Sequence, residues 1–435
     1  MDWYPKRTLG SLLDTAAERF GEREALVFEG RRWTFAQWRA ETDRIAKGLI
    51  AYGVEPGDRI ALWMTNRPEW LFAMFAVAKV GGCLVPLNTR YRTDDVSYTV
   101  RQSRSSLLIS LDASGPVDYM DMLRLAMPDI DAGTEAALSL SAFPDLRRVV
   151  FLGDRTLPNT TNWEALITAG EPVSDSDLAA RAASIDPESL MVIAYTSGTT
   201  GHPKGVMHSH APIRNTHERA QSLGMTFEDV HLNYLPLFHL YGFSELTMVA
   251  VLTGAKQVLM DVFDADRALD MAVEENATIF HGFEAHWLDL LTAQGKAARP
   301  VSMRLGTLPS GVDSTIPIAE RVQDVFGPTV SGYGLSEGWA FITVSNPGHS
   351  REQRVFASGY PMNDYEYRIV DPETGHEQPV GESGEIWIRG YAVMKGYWDK
   401  PDATAETLDS DGWLHTGDMG LRRPDGHMVF QGRYK

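Results

Sequence analysis

Cysteine is almost missing from this chain: Cys83 is the only one. One thiol excludes an intramolecular disulfide and a cysteine-ligated metal centre. It is also the usage of a reducing compartment, so a cytoplasmic protein is expected. Positive charge is scarce as well, with 40 Lys and Arg against 58 Asp and Glu and a net charge of -18. The overall field of such a chain repels polyanions, which argues against nucleic acid or an anionic lipid surface as partner. An anionic ligand must instead be received locally, by loops and individual lysines. Long uninterrupted apolar runs are lacking too. The longest, Trp70–Leu87, is broken by Lys79 and by Gly81-Gly82, whereas a membrane-spanning helix needs about 20 apolar residues. No transmembrane segment is expected. The start, MDWYPKRTLG, has no apolar stretch of the kind a secretory signal carries. Internal repeats and low-complexity runs are absent. What is present is 435 residues, 43% of them hydrophobic, enough for a sizeable core and more than one domain or subdomain.

Up to about residue 335, strand-like and helix-like patterns alternate. Short, mostly apolar runs such as Ala25–Phe28, Arg59–Met64, Cys83–Leu87, Leu107–Leu111 and Arg148–Leu152 are separated by helical stretches. Asn66 stands where a helix cap is favoured, ahead of Pro68 and Glu69 in the first turn. A polar connection with one helical piece near Trp163–Ala169 precedes the run Leu190–Tyr195. A second alternating series includes Gln257–Met260, Thr278–His281, Gly306–Leu308 and Val330–Tyr333. Alternation of this kind predicts an α/β fold with parallel, doubly wound sheets. From about residue 346 the texture changes to short strands between glycine turns, at Tyr365–Val370, Glu385–Arg389 and His427–Gln431, as in a small β-rich module.

The chemistry concentrates in LMVIAYTSGTTGHPKGVMHSH, residues 190–210. A buried strand breaks into Thr196-Ser197-Gly198-Thr199-Thr200-Gly201 and then Pro203-Lys204-Gly205. The glycines let successive backbone N–H groups converge on an anion, the hydroxyls can donate to phosphate oxygens, and Lys204 adds a flexible point charge. The spacing is not that of the Walker loop, G-x-x-x-x-G-K-[ST]: here a proline precedes the lysine and a glycine follows it. A plain Gly/Ser linker would explain neither the upstream strand nor the downstream Pro-Lys-Gly.

Tyr195–Val206 resembles the signature loop of the adenylate-forming superfamily, which includes acyl-CoA synthetases, beetle-type luciferases and adenylation domains of peptide synthetases. The resemblance implies the large N-terminal domain of these enzymes, with two doubly wound αβα subdomains and a small β-barrel-like subdomain. On that basis residues 1–345 would hold the paired α/β subdomains with the ATP and acyl sites, 346–431 the β-rich subdomain, and 432–435 the start of a hinge. A C-terminal domain would follow in relatives, so a truncated form of a longer enzyme is expected, with little or no full activity.

The same resemblance implies roles residue by residue. Thr196, Ser197, Gly198, Thr199, Thr200, Gly201 and Lys204 would embrace the ATP phosphates. Ser331-Gly332-Tyr333-Gly334-Leu335-Ser336-Glu337 is similar to the family's YGxTE motif: Tyr333 would flank adenine, Ser336 (for the usual Thr) would contact the α-phosphate, and Glu337, with Thr200, would hold Mg²⁺. Gly311 and Val312 would line the adenine turn, Asp418 in WLHTGD would bind the ribose hydroxyls, and Arg433 would support it. Gly396-Tyr397-Trp398 belongs to an intervening β motif implied to be mostly structural. Leu235–Gly242 resembles the acyl-CoA synthetase motif that sets His239 beside the carboxylate. Amino-acid-activating relatives have an Asp there, so amino acids are disfavoured. Phe283, Gly311, Gly334 and Leu335 would complete the acyl pocket, although Phe283-Glu284-Ala285 departs from the usual Val-Pro-Thr. Catalysis would rest on Thr196, Lys204, His239 and Glu337. The implied reaction is activation of a fatty or related carboxylic acid by ATP, with CoA as co-substrate. Three alternatives stay open at this point: a luciferase-like oxidoreductase, a nucleotide-binding domain without full activity, and an adenylation enzyme donating to a carrier protein. Oligomeric state is not legible, a homodimer included.

Overall fold

A computed structural model of the protein describes residues 4–131, 138–196 and 201–434. Two seven-stranded sheets form its body. In the first, the order is Lys204–Ser209, Leu190–Thr196, Cys83–Pro86, Arg59–Trp63, Ser105–Leu111, Arg148–Leu152 and Thr161–Asn162. All pairings are parallel except the hairpin that joins Leu190–Thr196 to Lys204–Ser209. In the second, the order is Thr329–Val330, Leu305–Thr307, Ile279–His281, Val230–Asn233, Lys256–Leu259, Glu24–Phe28 and Arg31–Thr34, again parallel apart from one edge hairpin. The α/β reading of the sequence holds, with antiparallel edges added to both sheets.

The helix Pro68–Lys79 is apolar on every side, and all of it except Glu69 is buried. This accounts for the longest apolar run in the sequence without a membrane, and no helix among the described residues is long and apolar enough to cross one. Its last residue, Lys79, is only 4% exposed and is held by Asp14 at 2.6 Å and Asp43 at 2.5 Å. The buried ammonium thus ties three helices together, since an unpaired charge there would be costly.

Several local expectations change. Arg67, not Asn66, is the N-cap of that helix. Asn66 instead donates to the Leu235 carbonyl and accepts from the Leu237 amide, both at 2.9 Å. A buried amide that satisfies two backbone groups of a distant loop outweighs a local cap. The stretch between Leu87 and Ser105 contains the helix Thr93–Gln102, and a second helix, Asp175–Ala183, follows Trp163–Gly170. Val330–Tyr333 is not one strand. Thr329–Val330 ends the parallel sheet, while Gly332–Tyr333 pairs with Thr343–Val344 in a separate three-stranded sheet. The chain changes sheets at Ser331, whose hydroxyl accepts from Ser310 N at 2.8 Å and donates to Ser310 O at 3.1 Å.

The C-terminal strands Tyr365–Val370, Gly384–Gly390, Leu414–Arg422 and Met428–Arg433 form an antiparallel sheet in chain order. Its outer strands do not pair with each other, so the sheet is open and not a barrel. Four strands are too few to close around a filled interior, which takes about eight in small barrels.

Candidate active site

A cavity of about 1040 Å³ opens at the carboxyl ends of strands from both parallel sheets and is roofed by the open antiparallel sheet. Crevices at strand carboxyl ends are where α/β folds receive ligands, because the following loops converge there. Thr196, Lys204, His239, Phe283, Val312, Gly332, Tyr333, Gly334, Leu335, Ser336, Glu337, Asp418 and Arg433 all line it. These residues are up to 237 positions apart in sequence, from Thr196 to Arg433. The fold therefore brings most of the expected site together. Ser197, Gly198, Thr199 and Thr200 lie outside the described residues. Gly201 is exposed and off the cavity wall. Ser331 is fully buried in the sheet change, and Gly311 also stands behind the wall, where an added Cβ would come within 2.7 Å of Ser358 Oγ.

At one end, Thr196 and Lys204 face each other across the hairpin. The Lys204 ammonium lies 4.8 Å from the centre of the Tyr397 ring, and the Tyr397 hydroxyl donates to Glu337 Oε1 at 2.7 Å. A cation and a carboxylate are thus set on either side of one phenol. Tyr397 was expected to be structural; it is a cavity residue, and its partner Glu337 is four strands and several loops away in the chain.

The segment carrying Ser336 and Glu337 is rigidly held. His208 Nε2 stands 2.7 Å from Ser336 O, and Met394 N donates to Glu337 O at 2.8 Å. A carbonyl can only accept, so Nε2 carries the proton. Burial pushes the His208 pKa down to about 4, which keeps the ring neutral. Just downstream, Trp339 and Ala340 have φ of +64° and +21°, unfavourable for residues with a Cβ. The strain is held in place by the buried Trp339 indole, which donates to Thr216 Oγ1 at 3.2 Å and Ser244 Oγ at 3.1 Å. Gly334 is obligatory in this turn: a Cβ there would stand 1.4 Å from the Ala340 carbonyl oxygen.

At the roof, Asp418 is 4% exposed and its Oδ2 accepts from the Tyr333 hydroxyl at 2.6 Å. Arg433 Nε is 3.1 Å from Oδ1 but is not aligned to donate, so Oδ1 has no hydrogen-bond partner. Burial raises the Asp418 pKa, opposed by Tyr333 and Arg433. The Tyr333 ring lies 5.5 Å from Phe430 at 27°, making a flat apolar shelf beside an acceptor with a spare lone pair. A planar base and a neighbouring diol match that pairing.

Elsewhere on the lining, His239 Nδ1 accepts from Tyr241 N at 3.2 Å, and its ring meets Phe283 edge-on at 6.0 Å. Burial lowers its pKa, so the ring is a neutral donor at Nε2 rather than a cation. Phe283 is 42% exposed and stands at the opening.

Among the described residues, no cluster of three or more His, Cys, Asp and Glu could hold a metal by itself. Magnesium does not need one, because it is commonly held by one or two carboxylates together with phosphate oxygens and water. Glu337, in the cavity beside Lys204, fits that requirement.

Sequence reasoning missed Tyr397, Tyr241, Phe430, Thr416 and Glu385 as cavity residues. Tyr397, Tyr241 and Thr416 carried a signal, as members of motifs already singled out. The others become neighbours through strand pairing alone.

The profile of the AMP-binding enzyme family matches residues 13–398. The chain belongs to that family. YngI of Bacillus subtilis, which carries the name of an acyl-CoA synthetase, is 32% identical over 98% of this chain and 79% of its own. The mitochondrial medium-chain acyl-CoA ligase ACSF2 of Mus musculus is 30% identical over 98% of this chain and 71% of its own. Among solved structures, a Rhodopseudomonas palustris protein named as a long-chain-fatty-acid CoA ligase superposes with a TM-score of 0.83 at 26% identity, covering 98% of this chain and 99% of that one. An anthranilate CoA ligase bound to anthranoyl-AMP shares the fold, with a TM-score of 0.85 at 23% identity over 99% of this chain and 79% of that one.

Proposed function

We propose that this protein is an acid–thiol ligase of the acyl-CoA synthetase kind, acting on a fatty or related carboxylic acid. In the first step a carboxylate oxygen attacks the α-phosphorus of ATP. The bond to the β-phosphate breaks, and pyrophosphate leaves with the electron pair. In the second step the CoA thiol attacks the activated acyl carbon, and AMP departs. A carboxylate resists nucleophiles, and conversion to a mixed anhydride removes that obstacle.

The observation that carries this reading is the grouping, in one cavity, of Lys204 and Glu337 at one end, Tyr333 with Asp418 above, and neutral His239 at the other. Lys204 would meet the departing phosphates. Glu337 would hold Mg²⁺ together with phosphate oxygens, and the ion would offset charge building on the leaving group. Asp418 Oδ1 would accept from a ribose hydroxyl, and the base would lie against the exposed face of Tyr333. His239 would donate to the carboxylate and turn it toward the α-phosphorus. Catalysis of this kind rests on positioning and preorganised charge stabilisation, not on a protein nucleophile. In keeping with this, the thiol of Cys83 is buried, and burial raises its pKa to about 12. A cytoplasmic setting accords with that lone free thiol. We place the division between the paired α/β subdomains and the β-rich part at residues 345 and 346.

The test is acid-dependent pyrophosphate release from ATP and magnesium, with AMP affinity measured in parallel by calorimetry. Lys204→Ala and Glu337→Gln should each lower release by at least about a hundredfold while AMP affinity changes little. Release at the wild-type rate in either variant contradicts the assignment.

A further inference from the structure

One face of the second sheet is partly polar where a buried parallel sheet is ordinarily apolar, although Leu259, Ile279 and Leu305 share it. His231 and Gln257 are paired across neighbouring strands, Asn233 follows on the same face, and His281 pairs with Thr307 farther along. Each is at most 1% exposed. The opposite face of the same strands carries Leu232, Val258 and Phe280 in an apolar cluster. The polarity therefore belongs to one face, the one covered by the π-helix Gly242–Met248, from which Thr247 donates to Gln257 Oε1 at 3.3 Å. Helices of this rare type concentrate at functional sites.

This face is incompletely satisfied. Both ring nitrogens of His231, Nε2 of His281, Oδ1 of Asn233 and Nε2 of Gln257 have no hydrogen-bond partner. A buried polar atom left unpaired is costly, and five within one patch is far from what stability alone would retain. Asn233 donates to Gln257 Oε1 at 3.0 Å, so the carboxamides are partly engaged and the unmet groups are mainly imidazole. Tyr241 connects this tract to the cavity. It lines the cavity, with its ring 4.9 Å from Phe283 and 5.3 Å from Phe341. Its hydroxyl bonds Thr307 Oγ1, which lies 2.6 Å from His281 Nδ1. The tyrosine therefore touches both the acyl end and this row of groups, none of which lines the cavity itself.

We propose that the acyl end of the cavity extends behind Tyr241 into this tract, and that the preferred acid carries a hydroxyl group on its acyl chain. The proposal rests on the adenylation reading above. A neutral imidazole offers one donor and one acceptor, and so does a hydroxyl, which can satisfy two of these groups at once. A second carboxylate fits poorly: burial holds His231 near pKa 4 and pushes His281 well below its ordinary value, so neither ring supplies a positive charge. A plain alkyl chain leaves every unpaired atom as it is.

The test uses acyl-sulfamoyl-adenosine mimics of equal chain length, either unsubstituted or hydroxylated at successive carbons, titrated by calorimetry with AMP as reference. At one hydroxyl position the wild-type protein should bind the substituted mimic at least about tenfold tighter than the plain one. His281→Leu and His231→Leu should each abolish that gain and leave AMP and the plain mimic within about twofold. For His231→Leu the melting temperature should be unchanged or raised, because replacing an unpaired buried polar group by an apolar one removes a cost, whereas His281→Leu also gives up the bond to Thr307 and should lower it slightly. Should either variant fail to fold, Gln257→Leu gives the same reading. Equal or tighter binding of the plain mimic at every position overturns the proposal, as does a gain that survives the substitutions, which would assign the tract to internal water. Those results leave the adenylation reading standing if AMP still binds. Absence of binding by AMP and every mimic defeats both.

Discussion

The ion pair between Arg219 and Glu245 offers a quantitative test of how the site is supported. Arg219 is 0% and Glu245 1% exposed. The guanidinium donates to Glu245 Oε2 at 2.5 Å through Nε, and to Oε1 through Nη2. It also reaches Asn215 Oδ1, the Phe341 carbonyl at 3.3 Å and Ser244 Oγ at 3.2 Å. Ser244 in turn holds the Trp339 indole, so the pair braces the strained turn behind Glu337. Glu245→Leu removes two charge-assisted bonds, each worth about 1.5–3 kcal/mol, and strands a buried cation. The expected loss is about 3–5 kcal/mol. Arg219→Met should cost a similar amount by stranding the carboxylate. The double variant leaves no charge behind and should recover to within about 1–2 kcal/mol of wild type, because apolar replacement of a whole buried pair is often neutral. Urea unfolding followed by tryptophan fluorescence gives the three values, and AMP calorimetry on the double variant reports the turn. A double variant as unstable as the sum of the singles would refute the reasoning, since independent contributions add and a shared pair does not. So would a Glu245→Leu loss below about 1 kcal/mol.

Three further outcomes follow from the geometry. Asp418→Asn and Tyr333→Phe should each weaken AMP binding by about tenfold, the worth of one buried hydrogen bond, with an unchanged circular dichroism spectrum; unaltered affinity in both would remove them from the nucleotide site. Gly334→Ala should unfold the turn or abolish nucleotide binding, because the new Cβ meets a backbone oxygen at 1.4 Å, and a variant that binds AMP normally contradicts the placement. Burial lowers the pKa of His208, His210 and His231 to about 4 from 6.5, so the folded state binds fewer protons than the unfolded chain between those values. Stability should be full above pH 6.5 and fall as pH drops toward 4, by up to about 3 kcal/mol per group. His208→Gln, His210→Gln and His231→Gln should each flatten this dependence measurably in melting temperature against pH; a slope unchanged in all three would sink it.

Much of the site was legible because its chemistry is local in sequence. Glycines beside hydroxyls ahead of Lys204, or flanking Tyr333, mark a turn whatever lies around it, and Thr196, Lys204 and Tyr333 do line the cavity. The helix Pro68–Lys79 was readable for the same reason, since its periodicity and apolar character travel with the segment. Where neighbours arrive from afar, local reading failed. Asn66 looked like a cap until the loop at Leu235 offered it better partners, and Val330–Tyr333 looked continuous until two sheets claimed its halves. Tyr397 looked structural because Glu337, its hydrogen-bond partner, is 60 positions away.

The sequence by itself determined the alternation of strands and helices, the placing of the phosphate-type loop after a buried strand, and the identity of the charged groups available to a ligand. These depend on periodicity, backbone freedom and side-chain chemistry, which act over a few residues. Only the tertiary structure decided that Lys204, Glu337, His239 and Asp418 share one cavity, that the C-terminal sheet stays open, and that one face of a buried sheet is lined with unpaired imidazoles. Those facts depend on which strands pair and which loops converge, and such long-range contacts are settled by burial of the whole chain at once.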